Sequence, residues 1–166
     1  MELVHKAEKA LEGPFSSLPP LPKEAKKGLA DIWPWLALAA AVLQLLAARF
    51  LYNWANSVDT TPRVFGLNSI NEGLTLWVWI AVIVLVVCAV ILLLAFPKLQ
   101  KKQKAGWDLL LLAGLVNIVY GVVSLFINGR GGMGTLLWAL IGSAIGFYLL
   151  FQVREFFGGK AVTPKQ

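Results

Sequence analysis

Apolar residues in this chain fall into four long runs separated by short polar stretches. The runs are 32–54, 74–96, 107–127 and 135–153. Each is close to the ~20 residues that carry a helix across a ~30 Å hydrocarbon layer at 1.5 Å per residue. The pattern predicts an all-α, integral membrane four-helix bundle. Its spans are 32–54, 70–96, 107–127 and 135–153, the second opening slightly before its apolar run. Start and stop signals agree. Asp31 is placed to cap the first span, with Pro34 in the first turn where a missing N–H costs little. Ser69-Ile70-Asn71-Glu72 reads as a capping box and Pro97 as the end of the second span. Asp108 is placed to cap the third, and Asn128–Gly134 is a glycine-rich turn.

Ahead of the spans, MELVHKAEKALEG sets Leu3, Val4, Ala7 and Leu11 on one helical face. This predicts a short amphipathic helix, lying on the cytoplasmic membrane surface or else solvated or bound to a partner. Gly13-Pro14 is expected to stop it, and residues up to 31 to form a Pro-rich linker. The domain plan is therefore a cytoplasmic helix and linker over 1–31, a transmembrane domain over 32–154 and a cytoplasmic tail over 155–166.

The basic residues orient the bundle. Lys6, Lys9, Lys23, Lys26, Lys27, Lys98, Lys101, Lys102, Lys104, Arg154, Lys160 and Lys165 share one side of a four-span chain. Only Arg49, Arg63 and Arg130 fall on the other. Twelve against three predicts that both termini are cytoplasmic. Lys98, Lys101, Lys102 and Lys104 form a basic loop suited to anionic lipid. The tryptophans form two belts: Trp33, Trp35 and Trp107 inside, Trp54, Trp77, Trp79 and Trp138 outside.

Composition narrows the chemistry. Hydrophobic residues make up 58% and charged residues 14%, against about 25% charged in soluble domains. The net charge of +6 follows from the orienting loops, so no nucleic-acid partner is inferred. One histidine, His5, and one cysteine, Cys88, predict neither a metal site nor a bound cofactor. Ser124 and Ser143 have no base beside them in sequence, so an enzyme is not expected.

What remains is helix packing. Gly114, Asn117, Gly121 and Ser124 form one stripe on the third span, and Gly142 and Gly146 a matching one on the fourth. Lipid tails compete for Leu and Val, so small residues and interhelical hydrogen bonds draw membrane helices together. The two stripes are expected to meet. Ala37, Ala41, Gln44 and Ala48 form a third stripe, with Gln44 expected to face the interior and even Asn117 itself. The second span, with few small residues, is expected to be the most lipid-exposed or to meet another subunit.

KAGWDLLLLAGLVNIVYGVVSLF and GFYLLFQVREFF resemble small uncharacterised multi-span bacterial membrane proteins. The resemblance rests on Gly106-Trp107, Asn117, Tyr120 and Tyr148–Arg154, within about the last third of the chain. It implies a bacterial cytoplasmic (inner) membrane and carries no activity. The sequence thus points to a non-catalytic membrane protein, a homo-oligomer or an accessory subunit of a larger membrane complex in contact with lipid. The alternative is an oligomeric channel or small-solute transporter whose path Gln44 and Asn117 line.

Overall fold

The computed structural model describes residues 2–16, 19–65, 72–128 and 133–158, with side chains over 6–13, 19–57, 76–123 and 141–158. Five α-helices follow one another: α1 (Glu2–Ser16), α2 (Lys23–Phe65), α3 (Glu72–Gln100), α4 (Lys104–Asn128) and α5 (Met133–Gln152). A 3₁₀ turn, Arg154–Phe157, ends the described chain. Among the described residues three helices, α2, α3 and α4, are long and apolar enough to cross a membrane, and a shorter apolar helix covers Ile141–Gln152.

The helices overrun several of the expected boundaries. α2 starts at Lys23, so Asp31 and Pro34 lie within it rather than at its cap and first turn. Its first hydrogen bond runs from the Lys26 N–H to the Pro22 carbonyl, 3.0 Å away. At 43 residues α2 is about 64 Å long, roughly twice a hydrocarbon layer. It takes in much of the loop expected after Trp54. An apolar run marks how much helix suits lipid, and helical sequence such as KEAKK continues beyond it. α1 likewise passes through Gly13-Pro14 to Ser16, and α3 runs one turn past Pro97. Each proline forfeits one backbone bond, which a packed helix tolerates near its end. Residues 69–71 of the expected capping box and residues 159–166 of the tail lie outside the described residues.

α2 and α3 form a long antiparallel pair. Its register is fixed by edge-on rings, Trp35 with Phe96 (5.6 Å) and Tyr52 with Trp79 (5.5 Å). The alanine stripe extends well beyond 37–48. Ala30, Pro34, Ala37, Ala41, Gln44, Ala48, Leu51 and Ala55 alternate at spacings of four and three, and each is buried or half-buried. Ala81, Leu85, Cys88, Leu92, Ala95 and Leu99 answer them on α3 at the same spacing. This 3.5-residue period keeps one seam facing its partner, and small side chains bring the backbones close.

α3 also packs along α4, where the Cys88 thiol lies 4.0 Å from the Ala113 carbonyl. It is therefore a central helix, which corrects the expectation that it is the most lipid-exposed. That place belongs to α2, whose apolar window is 17% buried against 28% for α3 and α4. The physical reason is that α3's scattered small residues, Ala81, Cys88, Ala89 and Ala95, suffice to seat two neighbours.

The core gathers at one end, here termed the closed end. It comprises Ala30, Ala37 and Ala41 of α2, Leu92, Ala95 and Leu99 of α3, and Trp107, Leu111 and Ala113 of α4. Phe147, Leu150, Phe151, Val153 and Phe157 complete it.

Candidate functional site

The closed end begins with a tight reversal. The Gln103 N–H donates to the Lys98 carbonyl (2.9 Å) and the Lys102 N–H to that of Leu99 (2.9 Å), the paired bonds of a Schellman cap. Lys102 takes the left-handed position there, φ 50°, and its ammonium pairs with Asp31 at 2.6 Å. Gly106 then lies against α3. A Cβ at this position would stand 2.8 Å from the Leu99 nitrogen and 3.0 Å from the Lys98 carbonyl carbon. This close approach seats Trp107 in the core. Its indole N–H donates to the Leu150 carbonyl (2.8 Å), and Phe151 meets its ring edge-on at 5.4 Å. Trp107, expected as an interface anchor, is fully buried and has no lipid-facing surface.

Beside Trp107 lies a cluster of charges shared by α1, α4 and the 3₁₀ turn. The Arg154 guanidinium sits 5.6 Å over the Trp107 ring. It grips two carboxylates of α1, Glu8 at 2.6 Å and Glu12 at 2.9 Å. Their i, i+4 spacing puts both on one helix face. Lys104 reaches Glu8 at 3.2 Å and Asp108 at 3.7 Å. Glu8, Asp108 and Arg154 are 4%, 7% and 7% exposed, so these three are largely withdrawn from solvent, while Lys104 and Glu12 keep one side in it. Asp108, expected as a helix cap, lies inside α4 and joins this cluster instead, because α4 begins at Lys104.

The segment after α1 follows α5 in the same way. The Tyr148 hydroxyl donates to the Pro19 carbonyl (2.7 Å), and the Leu21 N–H to Gln152 Oε1 (3.3 Å). Lys26 pairs with Glu155 at 3.5 Å. Residues 8–12 and 19–26 are thus strapped across residues 148–155, a clasp between segments far apart in sequence. Its members are charged and aromatic groups that hold elements together. Among the described residues no His, Cys, Asp and Glu cluster suits a metal ion.

The residues expected to pack the helices are only partly brought together. Gly114 does receive α5, since a Cβ there would meet the Phe147 ring at 3.0 Å. Among the described residues, Cβ atoms added at Gly121, Gly142 and Gly146 would meet nothing within 4 Å, so the tight approach seen at Gly114 is not repeated at these glycines. Between them lies a cavity of about 190 Å³ lined by Trp33, Leu110, Gly114, Asn117, Ser143, Gly146, Phe147 and Leu150. Asn117 does not bond Gln44; its amide N–H turns back to the Ala113 carbonyl of its own helix at 3.0 Å. Gln44 sits in the α2–α3 seam, its Oε1 buried and without a hydrogen-bond partner. The direct pair is corrected because Gln44's face of α2 is taken by α3.

Ser124 and Trp138 fall outside the described side chains. Trp35 and Trp54 are exposed, and Trp33, Trp77 and Trp79 half-buried. Of the basic loop, Lys101 is exposed and Lys98 half-buried, while Lys102 and Lys104 are held by carboxylates.

Sequence reasoning missed Glu8, Glu12 and Arg154 as a unit. The i, i+4 acids and an arginine directly after an apolar run were visible, but nothing local couples positions 142 residues apart. No protein-family model matches the chain, and neither a curated protein nor a solved structure does. From its own helices, then, the chain is a multi-span, all-helical membrane protein.

Proposed function

We propose that this chain is a non-catalytic, four-span protein of a bacterial inner membrane, with both termini cytoplasmic, that associates with copies of itself or with a larger membrane complex. The carrying observation is the contrast between the two halves of the α4–α5 pair. At the closed end Trp107, Phe147, Leu150 and Phe151 fill the space between the helices. Further along α5, Cβ atoms added at Gly142 and Gly146 would meet nothing within 4 Å among the described residues. In lipid, a glycine face gains its packing from a second helix backbone. The basic residues on the closed-end side support the orientation.

The test is the mass of the assembly extracted in native lipid patches, with every co-purifying polypeptide identified. It is combined with oxidative cross-linking of Gly142→Cys and Gly146→Cys in a Cys88→Ala background. A defined assembly, with cross-links at these positions and none at the exposed Leu43→Cys control, is the expected result. A bare monomer without cross-links would sink the reading.

A second reading, a small-solute path through an oligomer, draws on Asn117 and Ser143, which line the cavity beside the same open face. Loss of flux in Asn117→Leu with assembly intact would favour it.

A further inference from the structure

α1 is amphipathic, and its charged grip on the bundle comes from its acidic edge, while of the apolar stripe Leu11 packs against the core. Glu8 is buried against Arg154 and Lys104, and Glu12 completes the grip. On the apolar stripe Ala7 and Leu11 are only half-buried. A helical wheel at 100° per residue sets the stripe of Leu3, Val4, Ala7 and Leu11 to one side of the Glu8–Glu12 edge. Lys6 borders the stripe on the side away from the glutamates and Lys9 lies on the opposite face, both exposed at the surface. An apolar stripe with lysines on the polar face suits a helix to the interface of an anionic bilayer. So α1 carries two separate attachment edges, and this structure engages the acidic one with ion pairs and the apolar one only through half-buried Leu11.

The two edges compete. Glu8 and Glu12 are held by Arg154 and Lys104, at the end of the bundle that faces the cytoplasmic leaflet in the four-span reading. A lipid phosphate satisfies the same guanidinium and ammonium, and phosphate is a strong bidentate acceptor for arginine. A helix of 15 residues is marginal alone in water, so α1 is held by one surface or the other.

We propose that α1 is a charge-held strap that exchanges between its docked position on Arg154 and Lys104 and the surface of an anionic bilayer. There its Leu3–Leu11 stripe inserts and lipid phosphate takes over the two cations. This goes beyond the assembly proposed above and rests on it only for the membrane orientation. The docked strap holds Arg154, which sits over Trp107; the released strap frees that cation for lipid phosphate.

The experiment uses the full chain in a Cys88→Ala background, with spin labels at Lys9→Cys and Lys101→Cys, two exposed positions outside the charge cluster. Pulsed dipolar spectroscopy reads the distance between them. In detergent the labels are expected to give one short, narrow distribution. Glu8→Gln with Glu12→Gln, both on α1 and outside the bundle, is expected to lower the docked fraction about tenfold. Arg154→Glu alone should release α1, and Arg154→Glu with Glu8→Arg should restore the short distance.

In nanodiscs of phosphatidylcholine alone the strap stays docked. With equal parts phosphatidylglycerol the distance lengthens, and Leu3→Ser with Val4→Ser prevents the lengthening. A double-Gln variant that keeps the parent distribution would show that charge does not hold α1. Identical distributions in the two lipids would show a fixed strut. A chain that fails to enter nanodiscs would overturn the membrane reading instead, while the detergent arm still decides whether charge holds the strap.

Discussion

Substituting Gly106 by alanine tests the seat of α4 on α3. An alanine Cβ would stand 2.8 Å from the Leu99 nitrogen, 3.0 Å from the Lys98 carbonyl carbon and 3.1 Å from Leu99 Cγ. Two of these three atoms are backbone, and the segment that holds them ends in the paired bonds of the Lys98–Gln103 cap. Yielding therefore means moving one helix against the other. Overpacking of this kind costs about 1–3 kcal/mol. The helix propensity gained from Gly to Ala returns at most about 1 kcal/mol, and less in a first turn. The net expectation is a loss of about 1–2 kcal/mol, or roughly 2–8 °C in Tm for a chain of this size.

Gly121→Ala is the companion, because an added Cβ meets nothing within 4 Å among the described residues and the propensity gain carries the sign. Both are read by thermal melts of intrinsic tryptophan fluorescence in one detergent. Opposite signs are expected. If Gly106→Ala melts with the parent or above it while Gly121→Ala behaves as stated, the close approach of α4 to α3 is wrong.

Trp107→Phe removes the donor to the Leu150 carbonyl and weakens the contact with Arg154, so a loss of about 1–3 kcal/mol is expected in chemical unfolding. A neutral substitution would instead fit an interface anchor. Lys102→Gly, made in an Asp31→Asn background to remove the ion pair, relieves a left-handed residue and should stabilise by about 0.5–1 kcal/mol. A lower Tm would contradict that backbone geometry. Gln44→Leu removes a buried oxygen that has no partner and should raise stability by about 1–3 kcal/mol, measured in detergent. A fall would mean that the amide meets a group outside this chain.

Sequence alone determined that the chain is helical and built for lipid. Each apolar run coincides with a helix, because a bilayer leaves an isolated segment no other way to satisfy its backbone. The Ala37–Ala48 stripe was likewise readable, and the same spacing extends it along most of α2. Helix ends were less readable. Asp31, Pro14 and Pro97 are local signals, and neighbours that pack on a helix outweigh them. Which glycine is tightly approached was only partly readable, since the stripe contained Gly114 and left out Gly106. Spacing selected Gly114, Gly121, Gly142 and Gly146, yet a stripe states only that approach is possible.

Tertiary structure decided that Gly106 and Gly114 are the tightly approached positions and that α3 is central. It also turned Trp107, Arg154 and Asp108 from boundary residues into a clasp with Glu8 and Glu12. The reason is physical. Partition into lipid acts on each segment by itself and is written in local composition. Ion pairs and close approaches depend on which distant surfaces meet, and the fold alone settles that.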